Sequence, residues 1–181
     1  MIIKYIYRIF ITVMLLVMLS FSIASGRIFE LKATSIDGRK VSLSNYEGKI
    51  LLVVNTASRC GFTPQYKSLE KIYNKYKERD FVVLAFPSND FRQELSTNEE
   101  IKDFCEVYEL SFPIFAKGKV KGFEQQVFKY LTEDSNGRSM GEIRWNFEKF
   151  LVSREGKLVR RFRSNVDPNQ DEITSAIESL L

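Results

Sequence analysis

Ile50-Leu51-Leu52-Val53-Val54-Asn55-Thr56-Ala57-Ser58-Arg59-Cys60-Gly61-Phe62-Thr63-Pro64-Gln65 joins an apolar run of strand length to the start of a helical pattern, with a cysteine in the turn between them. An apolar run such as 50–55, with no polar alternation, belongs to a strand covered on both faces. From Pro64 onward Tyr66, Leu69, Ile72, Tyr73 and Tyr76 recur on one helical stripe. Proline suits the first turn of a helix, and Thr63 is expected as its cap. Residues 81–86, closed by Pro87, repeat the buried-strand pattern. Upstream, 29–34 and 40–43 flank Asp37-Gly38, the signature of a hairpin turn. Downstream, Ser96-Thr97-Asn98-Glu99-Glu100 opens a helix with Ile101, Phe104, Cys105 and Tyr108 on one face. A short strand at 112–115, a helix at 123–131, strands at 146–153 and 158–163 and a terminal helix at 168–181 complete the order. Strands alternating with helices imply an α/β domain: a mostly parallel sheet covered on both faces, with the closing hairpin adding antiparallel strands at one edge.

The first 26 residues are of another kind. Lys4 and Arg8 precede an uncharged stretch, 9–26, whose apolar part has the length of a secretory segment. Ser22, Ala24 and Gly26 supply small residues for cleavage after Ala24 or Gly26. Residues 1–26 are therefore expected to be a signal peptide or a retained N-terminal membrane anchor, with 27–181 a single domain carried out of the cytoplasm. Without that segment 25 Lys/Arg stand against 23 Asp/Glu, a formal charge of +2, too small to argue for nucleic acid. The chain has no histidine. That excludes Ser-His-Asp and Cys-His nucleophile pairs, a haem with a proximal His, and a zinc site built from two thiols alone.

Cys60 falls at the carboxyl end of a central strand and just before a helix, where open α/β sheets place their ligand sites. Helix N-terminal amides and the adjacent Arg59 favour a thiolate there; the alternative is an inert structural thiol. Three residues on, where dithiol oxidoreductases carry a second cysteine, stands Thr63. Cys60 therefore acts alone or with Cys105, the one other cysteine.

The stretch 55–66 resembles the active-site signature of the glutathione peroxidase family in its cysteine form. Phe86-Pro87-Ser88-Asn89-Asp90-Phe91 with Gln93-Glu94 is similar to that family's second motif, and Trp145-Asn146-Phe147-Glu148-Lys149-Phe150-Leu151-Val152 to its third. The three occur in the family's order, and the similarity runs from about Phe29 to the C-terminus. The resemblance implies a thioredoxin-like fold with a central mixed sheet flanked by helices and an N-terminal β-hairpin. It implies a thiol peroxidase that reduces hydrogen peroxide and organic or lipid hydroperoxides without a cofactor or metal, in defence against oxidative stress.

Carried over residue by residue, the family's catalytic set is Cys60, Gln93, Trp145 and Asn146. The loop 91–96 is one residue shorter than the family pattern and lacks both its glycines and its proline, so it must be reshaped to present Gln93. The family's Cys in the second motif is Ser88 here, whereas its Phe-Cys pair on the next helix is kept as Phe104-Cys105. The resemblance therefore implies Cys105 as resolving residue, a Cys60–Cys105 disulfide, and a thioredoxin-like protein or glutathione as reductant. Only 132–144 separates the preceding helix from Trp145, without the insertion of tetrameric members, which implies a monomer or loose dimer with an open site. The competing readings are an exported thiol–disulfide oxidoreductase and a peroxide sensor relaying its oxidation to a partner protein.

Overall fold

An unbroken run of seven buried residues is the spine of the molecule: β3, Ile50–Thr56. The computed structural model describes residues 27–122, 125–133 and 141–181; the expected targeting segment and the expected helix start at Phe123 lie outside them. Preceding β3 is a two-stranded antiparallel hairpin, β1 (Lys32–Thr34) and β2 (Lys40–Ser42), closed by Gly38 at φ +79°. After β3 come α1 (Gln65–Tyr76), β4 (Phe81–Pro87), α2 (Asn98–Val107), α3 (Gln126–Thr132), β5 (Lys149–Val152), β6 (Leu158–Phe162) and α4 (Asp171–Glu178).

The main sheet has the order β4-β3-β5-β6. β3 and β4 are parallel, while β3–β5 and β5–β6 are antiparallel. The sheet is thus the central mixed sheet that the resemblance implies, with the closing hairpin adding antiparallel strands at one edge; only the expectation of a mostly parallel sheet is corrected, since β3–β4 is its one parallel pairing among the described residues. Apolar runs reveal that a strand is buried but not which neighbour it pairs with. The expected strand at 112–115 is reduced to bridges, Ala85↔Ile114 and Ser35↔Phe115, that tie β4 to the N-terminal hairpin.

The two-residue period of the strands divides the core. Ile50, Leu52 and Val54 of β3 join Leu69, Ile72 and Tyr76 of α1 and Ile173 and Ile177 of α4. Leu51 and Val53 face the other way, with Val127, Phe128 and Leu131 of α3. Both faces are covered, as the unbroken apolar run requires. α2 begins with a reciprocal capping box: Thr97 Oγ1 accepts the Glu100 N–H, and the Glu100 carboxylate accepts the Thr97 N–H.

β5 opens on a fully buried lysine. Lys149 Nζ donates to the carbonyls of Ser164 (3.2 Å) and Val166 (2.6 Å). Burial pushes its ammonium down to about 7, against the opposing pull of Asp167 and Glu148. The unfolded chain holds that proton up to about pH 10.5, so between about 7 and 10.5 only the unfolded state keeps it and stability rises with pH. From about 9 to about 12 the buried Cys105 thiol acts in the opposite sense, because there the folded state keeps the proton. Urea unfolding under reducing conditions is therefore expected to show stability climbing between about pH 7 and 9, by up to about 1.4 kcal/mol per pH unit. Lys149→Met should flatten that slope. A wild-type slope no steeper than the variant's would contradict the assignment.

Candidate active site

β3 delivers the chain to a tight loop that is braced from within. Thr63 Oγ1 accepts the Cys60 N–H (2.9 Å) and donates to the Ala57 carbonyl (2.8 Å). The hydroxyl expected to cap α1 is thus used inside the cysteine loop, and α1 starts at Gln65 without a side-chain cap. Two successive turns, Thr63 N–H to Cys60 O and Gln65 N–H to Phe62 O, lead into the helix. Cys60 is 7 % exposed, and its Sγ accepts the Phe62 N–H at 3.4 Å. The donor on the sulfur therefore comes from the turn ahead of α1 and not from the helix's own first turn.

The loop after β4 packs on this one. Arg92 adopts φ +58° and its N–H donates to Asn89 O, closing a tight turn. Asn89 Oδ1 accepts the Glu94 N–H (3.1 Å). This left-handed turn is how the shortened loop still presents Gln93, whose carbonyl accepts the Arg59 N–H at 2.9 Å. Glu94 is buried, and its Oε1 accepts the N–H groups of Ser58 (3.1 Å) and Leu95 (2.8 Å). Burial pushes its carboxyl above the usual range, only partly offset by those bonds.

The third segment is a turn held by Asn55. Asn55 Nδ2 donates to Trp145 O (3.0 Å), its Oδ1 accepts the Glu148 N–H (2.9 Å), and its carbonyl accepts the Phe147 N–H (2.7 Å). Phe147 takes φ +61° and is fully buried. Below the turn, the Glu148 carboxylate accepts Arg161 Nε (2.6 Å), Arg163 Nη1 (2.9 Å) and the Arg144 N–H (2.6 Å). The turn thus throws Asn146 inward, buried, and Trp145 outward, 41 % exposed and 5.1 Å from the Phe91 ring.

These three segments meet. Asn146 Nδ2 donates to Gln93 Oε1 at 2.9 Å, which leaves the Gln93 amide nitrogen as that side chain's free donor end. Gln93 is joined through its backbone to the residue before Cys60, and Asn146 through its turn to Asn55 on β3. Cys105 stands apart on α2, 3 % exposed, and both cysteines are free thiols. Burial first, and then the nearby Glu94, push the Cys105 thiol up to about 12. Among the described residues no three His, Cys, Asp or Glu side chains gather into a metal site.

Asn55, Glu94 and Glu148 stand in the three motifs, but the sequence assigned them no role: nothing in a string of letters marks them as supports. For Glu148 there was one signal, an acid set directly before the apolar residues of a strand.

A model of the glutathione peroxidase family matches residues 28–132. The chain is 47 % identical over 167 residues to the hydroperoxy fatty acid reductase of Synechocystis sp., covering 87 % of this chain and 98 % of that protein. It is 44 % identical over 156 residues to a glutathione peroxidase-like peroxiredoxin of Schizosaccharomyces pombe, covering 84 % and 98 %. The crystal structure of T. cruzi GPX1 superposes with a TM-score of 0.66 at 31 % identity, covering 84 % of this chain and 95 % of that one. A thioredoxin-family thiol:disulfide interchange protein of Chlorobium tepidum shares the fold at 14 % identity and a TM-score of 0.62, over 83 % and 92 %. The domain is thioredoxin-like.

Proposed function

Because this chain belongs to the glutathione peroxidase family and is an enzyme that acts as a peroxidase, we propose that Cys60 is its peroxide-reacting residue, with Gln93, Trp145 and Asn146 completing the catalytic set. The Cys60 sulfur attacks one oxygen of the hydroperoxide, the O–O bond breaks, and negative charge builds on the departing oxygen. Cys60 becomes a sulfenic acid, and the departing oxygen leaves as water or an alcohol. The Phe62 N–H and the amide and indole N–H groups of Gln93, Asn146 and Trp145 are the donors that stabilise thiolate and leaving group. None of them titrates near neutrality, so the site works without histidine.

One observation carries this reading: the Gln93–Asn146 hydrogen bond joins the second and third sequence blocks, and the Gln93 carbonyl, which accepts the Arg59 N–H, ties them to the residue before Cys60. The part-exposed Trp145 and Phe91 offer an apolar rim to hydroperoxides of fatty-acid size, in keeping with the name of the Synechocystis relative. The thiol–disulfide oxidoreductase reading is weaker, because the place of its second cysteine is held by Thr63, whose hydroxyl braces the loop. An insulin-reduction assay separates the two. Repeated turnover with a recycling thiol separates a scavenger from a sensor.

The proposed cycle continues with Cys105. Its thiol displaces the hydroxyl of the Cys60 sulfenic acid, and a thioredoxin-like protein or glutathione reduces the disulfide. A disulfide needs Cα atoms within about 7 Å, so the cycle requires the Cys105 end of α2 and the Cys60 loop to come within that reach. We place the domain outside the cytoplasm as a monomer, with residues 1–26 as cleaved signal or membrane anchor. The test of the cycle is oxidation with one equivalent of hydrogen peroxide followed by mass-spectrometric mapping. A Cys60–Cys105 disulfide is expected. Cys105 remaining alkylatable after Cys60 has been oxidised overturns the two-cysteine cycle.

A further inference from the structure

Behind the Cys60 loop lies a group of buried oxygens that the peroxide-cleaving step does not use. Thr56 Oγ1, Ser58 Oγ, Tyr66 OH and Glu94 Oε2 are each buried and fall into two close pairs, the Tyr66 hydroxyl with Thr56 and the Glu94 carboxylate with Ser58, with no further partner among the described residues. The four residues are at most 8 % exposed. They form one neighbourhood. The Tyr66 hydroxyl lies beside Thr56 and Ser58 beside Glu94, and Tyr66 and Glu94 each act electrostatically on the other or on Cys105.

Ring packing fixes which side of α2 looks this way. Tyr66 meets Phe104 at 6.1 Å and Tyr108 at 5.7 Å between ring centroids, the two residues that bracket Cys105 on its helical stripe. Cys105, next to Phe104 on this helix and within electrostatic reach of both Tyr66 and Glu94, lies on the side where Glu94 is anchored by the Ser58 N–H. Glu94 Oε1 is occupied by two N–H donors, while Oε2 accepts none and the Ser58 hydroxyl is beside the carboxylate.

We infer that Glu94 is the general base of the resolving step, its Oε2 taking the proton from Cys105 as that sulfur attacks the Cys60 sulfenic acid. The inference rests on the two-cysteine cycle proposed above. The Cys105 S–H bond breaks and its proton passes to Glu94. An S–S bond forms as the Cys60 S–O bond breaks, and the departing hydroxide takes the proton back from Glu94 to leave as water. The Cys105 sulfur is oxidised and the sulfenic sulfur reduced, so no outside oxidant or reductant enters. A base is needed because the Cys105 thiol keeps its proton in its buried setting. The raised carboxyl of Glu94 is the better matched for accepting it. The titratable groups that face Glu94 are Tyr66 on α1, Cys105 on α2 and Lys117 after α2, whose Nζ donates to the carbonyls of Leu95 and Ser96.

The test follows both steps in single turnover. Protein is mixed with one equivalent of hydrogen peroxide and quenched at intervals. Sulfenic acid is trapped with dimedone, and the Cys60–Cys105 disulfide is counted by mass spectrometry. Glu94→Gln keeps an acceptor for the Ser58 and Leu95 N–H groups and removes the base. The ratio of the second rate to the first is expected to fall about a hundredfold, with partial recovery in Glu94→Asp. In the wild type the second rate should rise with pH through the Glu94 titration and then level off well below the Cys105 value; this profile decides the matter even if a variant misfolds. A ratio within about threefold of wild type, or a wild-type rate still climbing towards about pH 10, overturns the role of Glu94. A wild type that forms no Cys60–Cys105 disulfide overturns the two-cysteine reading itself, and this inference with it.

Discussion

Cys60→Ser is expected to lower hydroperoxide turnover by about a thousandfold or more, whichever thiol reductant is supplied. The hydroxyl stays protonated at neutral pH and is a weak nucleophile towards oxygen, and no neighbouring histidine can activate it. The substitution should leave the fold intact. The sulfur accepts one backbone N–H, from Phe62, which an Oγ also accepts, and Thr63 continues to brace the loop. Steady-state peroxide consumption with thioredoxin and, separately, with glutathione is the measurement. A variant retaining more than about a tenth of wild-type activity would remove Cys60 from the chemistry. Cys105→Ser is the companion: it should still consume one equivalent of peroxide and then stall when the donor is a dithiol protein.

Glu148→Ala is expected to destabilise the domain by about 3–5 kcal/mol. The side chains of Glu148 and Arg161 are each only 1 % exposed, and the pair meets at 2.6 Å. Truncating the acid leaves the Arg161 guanidinium buried without its carboxylate, which costs more than the pair itself contributes. It also frees the Arg144 N–H, loosening the turn that carries Trp145 and Asn146, so kcat should fall along with the urea midpoint. Replacing Glu148 and Arg161 together by methionine should recover most of the stability, because no lone charge is then buried. A loss below about 1 kcal/mol in the single variant would show that the ion pair is not what holds this turn.

Much of this was legible in the chain itself, for reasons that differ by element. β3 and β4 announce themselves because a strand covered on both faces has no polar position to interrupt it. Cys60 could be placed at their carboxyl edge because Pro64 marks where the helix begins. That the closing hairpin adds antiparallel strands at an edge could be read, but not that β5 pairs with β3, since the register, Val53 opposite Phe150, depends on partners distant in sequence. Thr63 misled for a related reason. A hydroxyl beside a helix start is a cap by local rules, but here the Cys60 loop takes both its donor and its acceptor capacity. Gln93 was recognisable only by resemblance, and the shortened loop gave no hint that Arg92 would supply the missing left-handed turn. Glu94 and Glu148 stand in the motifs that carry the resemblance, but their burial could not be read, because most acids in a chain of this composition are solvated and burial emerges only when the loops are assembled.

The chain contains a single tryptophan, and Trp145 is part-exposed beside the Gln93–Asn146 pair with its ring leaning on Phe91 at 45°. All of the protein's indole emission therefore originates at one spot, without background from the core. A change in hydration or in the nearby amides on oxidation would appear as a shift in wavelength or intensity, recorded in real time and free of any attached dye. With Trp145 in the catalytic set as proposed above, its emission is the protein's own optical gauge of the redox state of Cys60.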